Sequence, residues 1–398
     1  MTASRIPRAV WVLGAVSLFM DMSSELVHAV LPVYLTSVLG LSVLAVGIIE
    51  GIAEATASML KVVSGYVSDR FKRRKPLALL GYGLAALTKP VFPLADTVAA
   101  VVAARFIDRV GKGIRGAPRD AMVADVTPPV LRDAAYGLRQ SLDTVGAFAG
   151  PLLAMLFLWL WAGDLRMVLW VAVVPAAIAV ALLAFGIDET APQTAAGRRS
   201  PVRWSAIARL PKPFWRLTVL TALFSLARLS EAFLVLRAQE LQLTLLWIPM
   251  VMIVMSVVYS VSSYPAGLLA ARMGRQTLLA ASLVALVAAE LVLAIVPGTS
   301  GLWAGVALWG LHMGLSQSGL TAAVAENAPA ELRATAFGVF HLVTGLFQLV
   351  SGALAGWIWT QHGSACAFGA GAIWAALALI VLIASRRSRG RQRELSVD

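Results

Sequence analysis

The sequence predicts an all-α polytopic membrane protein with twelve transmembrane helices in two pseudo-symmetric six-helix bundles. Of its 398 residues, 59% are hydrophobic and only 14% are charged, which is far from the composition of a soluble domain of this length. Apolar runs of about 20 residues recur along the whole chain, and parts of the first half are echoed in the second. Such runs are too long for the strands of a membrane barrel, and they leave no room for a sizeable soluble domain.

The first apolar run, residues 10–39, is too long for the hydrophobic part of a secretory signal. It also lacks a clear small-residue cleavage site, so we expect it to be retained as a membrane span. Eleven further runs follow at short intervals. The predicted spans cover residues 9–38, 43–68, 76–95, 97–124, 133–161, 167–187, 213–238, 244–270, 276–297, 301–324, 334–360 and 365–385.

Basic residues collect in alternate connections between the runs, and the other connections are nearly bare of them. By the positive-inside rule, both termini and the long central loop are cytoplasmic, which requires an even number of spans in the cell inner membrane. The chain then divides into an N-terminal bundle, a central loop, a C-terminal bundle and a basic tail, at residues 1–187, 188–212, 213–385 and 386–398. The net charge of +12 therefore reflects topology rather than nucleic-acid binding.

Two segments of the first half recur in the second half. Residues 65–73 (GYVSDRFKR) are echoed by residues 267–275 (GLLAARMGR), and residues 124–137 are echoed by residues 325–338 at nearly the same offset. The echoes place corresponding connections of the two halves in register. The chain is therefore predicted to be two six-helix units in parallel repeat.

The run Gly65-x-x-x-Asp69-Arg70-x-x-Arg73-Arg74 resembles motif A of the major facilitator superfamily, with Lys72 where a Gly is usual. The resemblance to this family covers essentially the whole chain and implies its fold and a transport function by alternating access. In the family, the Asp of motif A caps a neighbouring helix, and the Arg pairs with an acid below the fourth helix to lock the outward-open state. The matching positions here are Asp69, Arg73 and Asp125.

A second run, Arg105-Phe-Ile-Asp108-Arg109-Val-Gly111-Lys-Gly113, resembles motif B of the fourth helix in this family. The buried Arg of motif B is linked to proton coupling in relatives. Asp108 and Arg109 stand where Gln and Gly are common, so the site is more charged than the usual pattern.

A third run, Gly146-x-x-x-Gly150-Pro151, resembles motif C of the fifth helix, which is found mainly in exporters, although Ala154 replaces its next Gly. Small residues at this spacing let helices approach closely, and Pro bends a helix, so the motif suits a gate. Ordinary helix packing by a small-residue pair is the alternative interpretation.

The first span carries ionisable and polar residues that must be satisfied inside the membrane. Asp21, Ser24, Glu25 and His28 share one helical face, because their spacings are three, four and seven. An ionisable residue at the bilayer centre costs at least about 2.5 kcal/mol, so each needs a partner or a water-filled cavity. We interpret this face as part of a central cavity and as a candidate for proton coupling, while His28 also suits the rim or the packing between helices.

Glu50 and Glu54 form a second pair on one face of the next span. Two acids four residues apart in low dielectric do not both ionise cheaply, so one should keep its proton, as a proton carrier requires. The alternative is that all these acids pair with nearby cations and hold helices together.

Counter-charges at matching depth are predicted on the fourth and fifth spans, where Arg105, Asp108, Arg109, Arg139 and Asp143 lie. A buried network between these helices could serve coupling or be purely structural. The next basic residues along the fourth span lie closer to the cytoplasm and are expected to be gate or headgroup contacts; they are Lys112, Arg115 and Arg119.

The second half carries fewer charges, of which Arg228, Glu231 and Glu290 are the main ones. Gate pairing, structural pairing and substrate contact are equally open for these three. The candidate substrate contacts are Ser24, His28, Arg228, Glu231, His312 and His341.

The leading functional hypothesis is a proton-coupled exporter, in which protons titrate Asp21 or Glu25 and bias the inward-to-outward equilibrium. An exporter of this kind needs a small-molecule or ion substrate, protons and lipid, with neither a cofactor nor nucleic acid, and is expected to be a monomer.

Three transport alternatives stay open: a carrier of metal ions or metal chelates, a uniporter and a flippase for lipid-like solutes. The metal carrier would use Asp21, Glu25 and His28 as oxygen and imidazole ligands. An enzyme is not expected, because the sequence has no metalloprotease, nucleophile-elbow, phosphate-loop or paired-cysteine motif.

Overall fold

The computed structural model describes residues 6–71, 74–188, 204–316, 323–324, 327–329 and 332–394. These residues form helices and no strand, as the predicted fold class requires. The helices are α1 (Arg8–Val33, continued by a π-helical turn at Tyr34–Val38), α2 (Val43–Phe71), α3 (Arg74–Thr88), α4 (Val91–Leu94), α5 (Val98–Val126), α6 (Arg132–Leu160), α7 (Leu165–Val171), α8 (Val173–Gly186), α9 (Lys212–Ala227), α10 (Glu231–Glu240), α11 (Met250–Met273), α12 (Arg275–Ile295), α13 (Gly298–Ser316), α14 (Arg333–His362) and α15 (Ser364–Glu394).

Ten segments among the described residues are long and apolar enough to cross a membrane, and they correspond to ten of the predicted spans. The other two predicted spans are helical in the parts that the structure describes. They are α5, which carries eight charged residues, and α13, which is rich in glycine. The protein is therefore a multi-pass helical membrane protein, and the count of twelve crossings stays a prediction.

The chain divides into two compact units. Unit 1 comprises Met1–Leu41, Ile52–Pro201 and Leu243–Ile253, and unit 2 comprises Ser42–Gly51, Val202–Gln242 and Val254–Asp398. The predicted bundle boundaries and their pseudo-symmetry stay predictions.

Unit 1 is organised around α1, which packs against α6 and α8, and around the close pair α3 and α5. A Cβ at Gly81 on α3 would stand only 2.8 Å from the carbonyl oxygen of Gly111 on α5, so these backbones meet where neither residue has a side chain. An apolar core lies beside this contact. Its fully buried members include Leu13, Val16, Met20, Ala78, Tyr82, Ala85, Val123, Ala135, Ala176 and Leu183.

Unit 2 places α12 between α13 and α15, while α9 packs against α14 and α15. Its apolar core includes Phe214, Leu220, Phe224, Leu283, Val324, Ala336, Phe340 and Ala378. Apolar packing in this core holds helices of unit 2 together.

The predicted third span, residues 76–95, is broken into α3 and α4. The break falls at Lys89-Pro90, because Pro90 lacks the backbone N–H that would continue the helix. Lys89 thereby lies at a helix end, where its buried side chain turns toward α5.

The predicted sixth and seventh spans are broken as well. The sixth divides at Ala172, whose carbonyl accepts a hydrogen bond of 2.7 Å from the Ser23 hydroxyl of α1. The seventh divides between Ala227 and Glu231, where the extended Ser230 caps α10 by accepting a hydrogen bond from the Ala232 N–H. These breaks expose backbone polar groups inside spans that the apolar pattern predicted to be continuous.

Candidate functional site

The candidate site is a set of buried and partly buried charged side chains in unit 1, contributed by α1, α2, α5, α6 and the break after α3. We call it the buried charge cluster. Its members are Asp21, Glu25, His28, Glu54, Lys89, Arg105, Asp108, Arg109, Arg115, Arg119, Asp120, Arg139 and Asp143.

The α1 face of the cluster is held in place by motif C on α6. A Cβ at Gly150 would stand 2.5 Å from the carbonyl oxygen of Met22 and 2.7 Å from the N–H nitrogen of Leu26, and one at Gly146 would overlap the carbonyl oxygen of Leu18. The two glycines therefore bring α6 against the stretch of α1 that carries Asp21 and Glu25. Pro151 follows directly and is buried within α6.

Lys89 and Asp108 form the most deeply buried ion pair of the cluster. The Lys89 ammonium donates a hydrogen bond of 2.9 Å to the Asp108 carboxylate and lies 3.4 Å from the Ser24 hydroxyl of α1. Both charged side chains are 3% exposed or less. Ser24, a candidate substrate contact, therefore touches the cluster itself.

Arg109 joins the fourth predicted span to the second. Its guanidinium lies 3.2 Å from the Glu54 carboxylate on α2 and 3.6 Å from the Asp108 carboxylate. Arg109 is buried, whereas a third of the Glu54 side chain is exposed. Arg105, one turn earlier on α5, is also buried. The motif B run therefore supplies the centre of the cluster.

Arg115 reaches the α1 acids from α5. Its guanidinium lies 3.6 Å from the Asp21 carboxylate and 4.9 Å above the ring of Tyr82, a cation–π arrangement that holds it. The Asp21 carboxyl also lies within hydrogen-bonding reach of the Asp143 carboxyl on α6. Two carboxyl groups that share a hydrogen bond need a proton between them.

Arg119 and Arg139 surround the other side of Asp143, at 3.5 and 3.7 Å from the same oxygen, Oδ1. Neither guanidinium makes a well-formed hydrogen bond to that oxygen. Both arginines also lie near the Asp120 carboxylate, at 3.1 and 3.8 Å. Asp143 is thus a partly buried acid with two cations and one acid beside it.

Arg115 and Arg119 were expected at a gate or at lipid headgroups, and the headgroup interpretation is wrong for both. Arg115 is 4% exposed, and Arg119 donates a hydrogen bond of 3.1 Å to the Ser17 hydroxyl of α1. Their acidic partners on α1 and α6 hold them inside unit 1.

Glu25 and His28 lie together on α1, with 3.6 Å between a carboxylate oxygen and Nδ1. Asp21, the third expected metal ligand, instead forms an ion pair with Arg115.

The motif A residues are only partly described. Gly65 is buried on α2, the backbone of Asp69 and Arg70 continues that helix, and Arg73 lies outside the described residues together with the side chains of Asp69 and Arg70. Asp125 forms a buried ion pair with Arg74, the residue after the expected Arg73. Arg74 also donates a hydrogen bond of 2.8 Å to the Ala121 carbonyl, so it ties the start of α3 to the end of α5.

The candidates in unit 2 lie at separate places. Arg228 and Glu231 face each other across the break between α9 and α10, at 3.6 Å. His312 is fully buried, where Nδ1 bonds the Ser282 carbonyl oxygen at 2.8 Å and the ring packs on Phe224. His341 packs against phenylalanines of α14, and Glu50 is buried on α2.

Lys89 and Asp120 are the cluster members that sequence reasoning missed. The available signal for Lys89 was a lysine within an apolar run, directly before a proline. Tyr82 was missed as well, and no sequence pattern distinguishes it from a packed aromatic residue.

Three comparisons place the chain among known proteins. The family model of the Major Facilitator Superfamily matches residues 13–343 and 229–397. The uncharacterized MFS-type transporter MJ1317 of Methanocaldococcus jannaschii is 30% identical over 360 residues, which cover 89% of each chain. The multidrug resistance protein MdtH of Proteus mirabilis is 30% identical over 133 residues, which cover 33% of this chain and 32% of that protein. A crystal structure of a POT family transporter in complex with a thioalcohol-conjugated peptide superposes with a TM-score of 0.80 and 14% identity, covering 96% of each chain.

Proposed function

Since this chain belongs to the major facilitator superfamily and is a transporter rather than an enzyme, we propose that it exports a small solute across the cytoplasmic membrane in exchange for protons. The observation that carries this proposal is the Asp21–Asp143 carboxyl pair within the buried charge cluster. We place the twelve crossings, the pseudo-symmetric six-helix bundles and the cytoplasmic termini in the same proposal, with α5 and α13 as the two remaining spans.

The carboxyl pair is suited to carry the transported proton. With one proton it carries a single negative charge, and Arg115, Arg119 and Arg139 lie within 4 Å of one or the other carboxylate. Loss of that proton would place two carboxylates side by side, so α1 and α6 would be driven apart at this level. Proton binding and the position of α1 against α6 are thereby linked, as coupling requires.

Motif C supports the direction of transport. Gly146 and Gly150 form the contact between α1 and α6 on which the carboxyl pair depends. The resemblance of this motif to that of exporters agrees with the partial similarity to a multidrug resistance protein. Both observations favour export over uptake.

A ligand search comes first, because the experiment needs a substrate. We would measure the melting temperature of the purified protein with a panel of metabolites, drugs and metal ions at two pH values. A compound that binds the folded state raises this temperature. A compound found in this way would then be loaded into vesicles that contain the protein, and its flux would be followed under an imposed pH gradient.

Two neutral variants test the coupling. We expect Asp21→Asn and Asp143→Asn to lose flux driven by the pH gradient, while exchange of labelled for unlabelled substrate continues, because exchange needs no net proton movement. Asp164→Asn is the matched control, since Asp164 is exposed and only caps α7. Full gradient-driven flux in both cluster variants would refute the proton assignment.

A further inference from the structure

Glu290 is a buried acid of unit 2 that lies outside the buried charge cluster. It sits on α12, its exposure is 0%, and neither carboxyl oxygen has a hydrogen-bond partner within the described part of the chain. The sequence suggested pairing or substrate contact for this residue. Among the described residues, it has no ion pair.

The missing side chain of Gly371 leaves a hollow on α15, and the Glu290 carboxyl lies in it. A Cβ added at Gly371 would stand 2.7 Å from the carboxyl carbon and from each carboxyl oxygen. Any side chain at position 371 would therefore displace the acid. The glycine lets α15 pass directly over the carboxyl group and close it off.

Among the residues that the structure describes, no neighbouring charge compensates a carboxylate at this place. The helices that pack on α12 are α13 and α15. The titratable residue of α13 is His312, whose Nδ1 is bonded to the Ser282 carbonyl, and that of α15 within the span is Cys366. Arg275 stands at the start of α12, about four turns away from Glu290.

An isolated carboxylate in such surroundings is far more costly than a neutral carboxylic acid. We infer that Glu290 is a proton-binding site of unit 2, filled when α15 lies against α12 and able to empty only when this contact opens. The inference concerns a different acid from the carboxyl pair of unit 1 and does not depend on the direction of transport or on coupling there.

Infrared spectroscopy of the purified protein tests this assignment directly, because the C=O stretch of a protonated carboxyl is separate from that of a carboxylate. At neutral pH we expect a carboxylic-acid band that is present in Asp21→Asn and Asp143→Asn and lost in Glu290→Gln. A Glu290→Gln spectrum that matches the unmodified protein throughout this region would overturn the inference. We expect the Asp21→Asn variant to lose driven flux and to keep this band. The two proposals can therefore fail independently of each other.

A pair of glycine variants tests the hollow without removing the acid. Gly371→Ala should shift or abolish the Glu290 band and lower the melting temperature, since the added methyl group meets the carboxyl. Gly369→Ala is the matched control on the same helix, where an added Cβ meets nothing within 4 Å. If both variants keep the unmodified spectrum, the carboxyl does not occupy the hollow and the site is rejected.

Discussion

At the scale of single residues, the Lys89–Asp108 pair shows how unit 1 tolerates charge within the membrane. Both side chains are almost completely buried, and the ammonium reaches the carboxylate at 2.9 Å only because the helix breaks before Pro90. Removing one partner of a buried pair leaves an uncompensated charge, which is more harmful than removing both. We therefore expect Lys89 and Asp108 to stabilise the protein only when both are present.

We predict that Lys89→Met lowers the free energy of unfolding by about 3 kcal/mol. The double variant Lys89→Met with Asp108→Asn should recover a large part of this loss, because no unpaired carboxylate remains. Denaturation of the purified protein in detergent measures both. The exposed pair of Arg166 and Asp96, at 3.1 Å, is the control, and Arg166→Met should have no measurable effect. Equal losses for Lys89→Met and Arg166→Met would contradict the role given to burial.

At the scale of elements, the contact between α1 and α6 decides the geometry of the carboxyl pair. The α6 glycines lie on the backbone of α1 at Leu18 and Met22, which flank Asp21 by three residues and one residue. Each acid is thereby positioned by helix packing rather than by its own rotamer alone. Motif C acts on the cluster through this contact.

We predict that Gly150→Ala destabilises the protein by about 1–3 kcal/mol, because its methyl group would meet backbone atoms of α1 that have no room to move. The same variant should reduce gradient-driven flux, since Asp21 and Asp143 are pushed apart. Gly137→Ala lies on the same helix, where an added Cβ meets nothing within 4 Å, and it should leave both quantities near their starting values. A flux loss in both variants would point to a general effect on α6.

At the scale of the whole molecule, the number and direction of the membrane crossings determine which side of the membrane each helix end faces. Cytoplasmic termini and an even number of spans place the connection before α15 on the periplasmic side. Cys366 is the only cysteine of the chain, and it is exposed close to this connection. The sole thiol therefore reports on the proposed topology.

We predict that a membrane-impermeant maleimide labels Cys366 in right-side-out vesicles and does not label it in sealed inside-out vesicles. The Cys366→Ser variant should show no labelling in either preparation. Labelling confined to inside-out vesicles would show that the chain has the opposite orientation in the membrane. The connections rich in basic residues would then not be cytoplasmic.

Much of the fold was predictable from the sequence because lipid imposes a simple rule on the chain. Long apolar runs must form helices that satisfy their own backbone, so ten spans could be placed from composition alone. The breaks at Lys89-Pro90, Ala172 and Ser230 were not predicted. Apolar composition measures the suitability of a segment for lipid and does not reveal where a neighbouring side chain caps an interrupted helix.

The sequence by itself determined the family, the all-helical class and most of the acids and bases of the buried charge cluster, since the cost of burying charge makes such residues conspicuous. Only the tertiary structure decided their partners. It joined Asp21 to Arg115 and Asp143, gave Asp108 to Lys89, and left Glu290 without a partner in the described residues. The physical reason is that an ion pair or a hydrogen bond depends on distances of a few ångströms between helices far apart in the chain, and helical periodicity specifies only the face on which each residue lies.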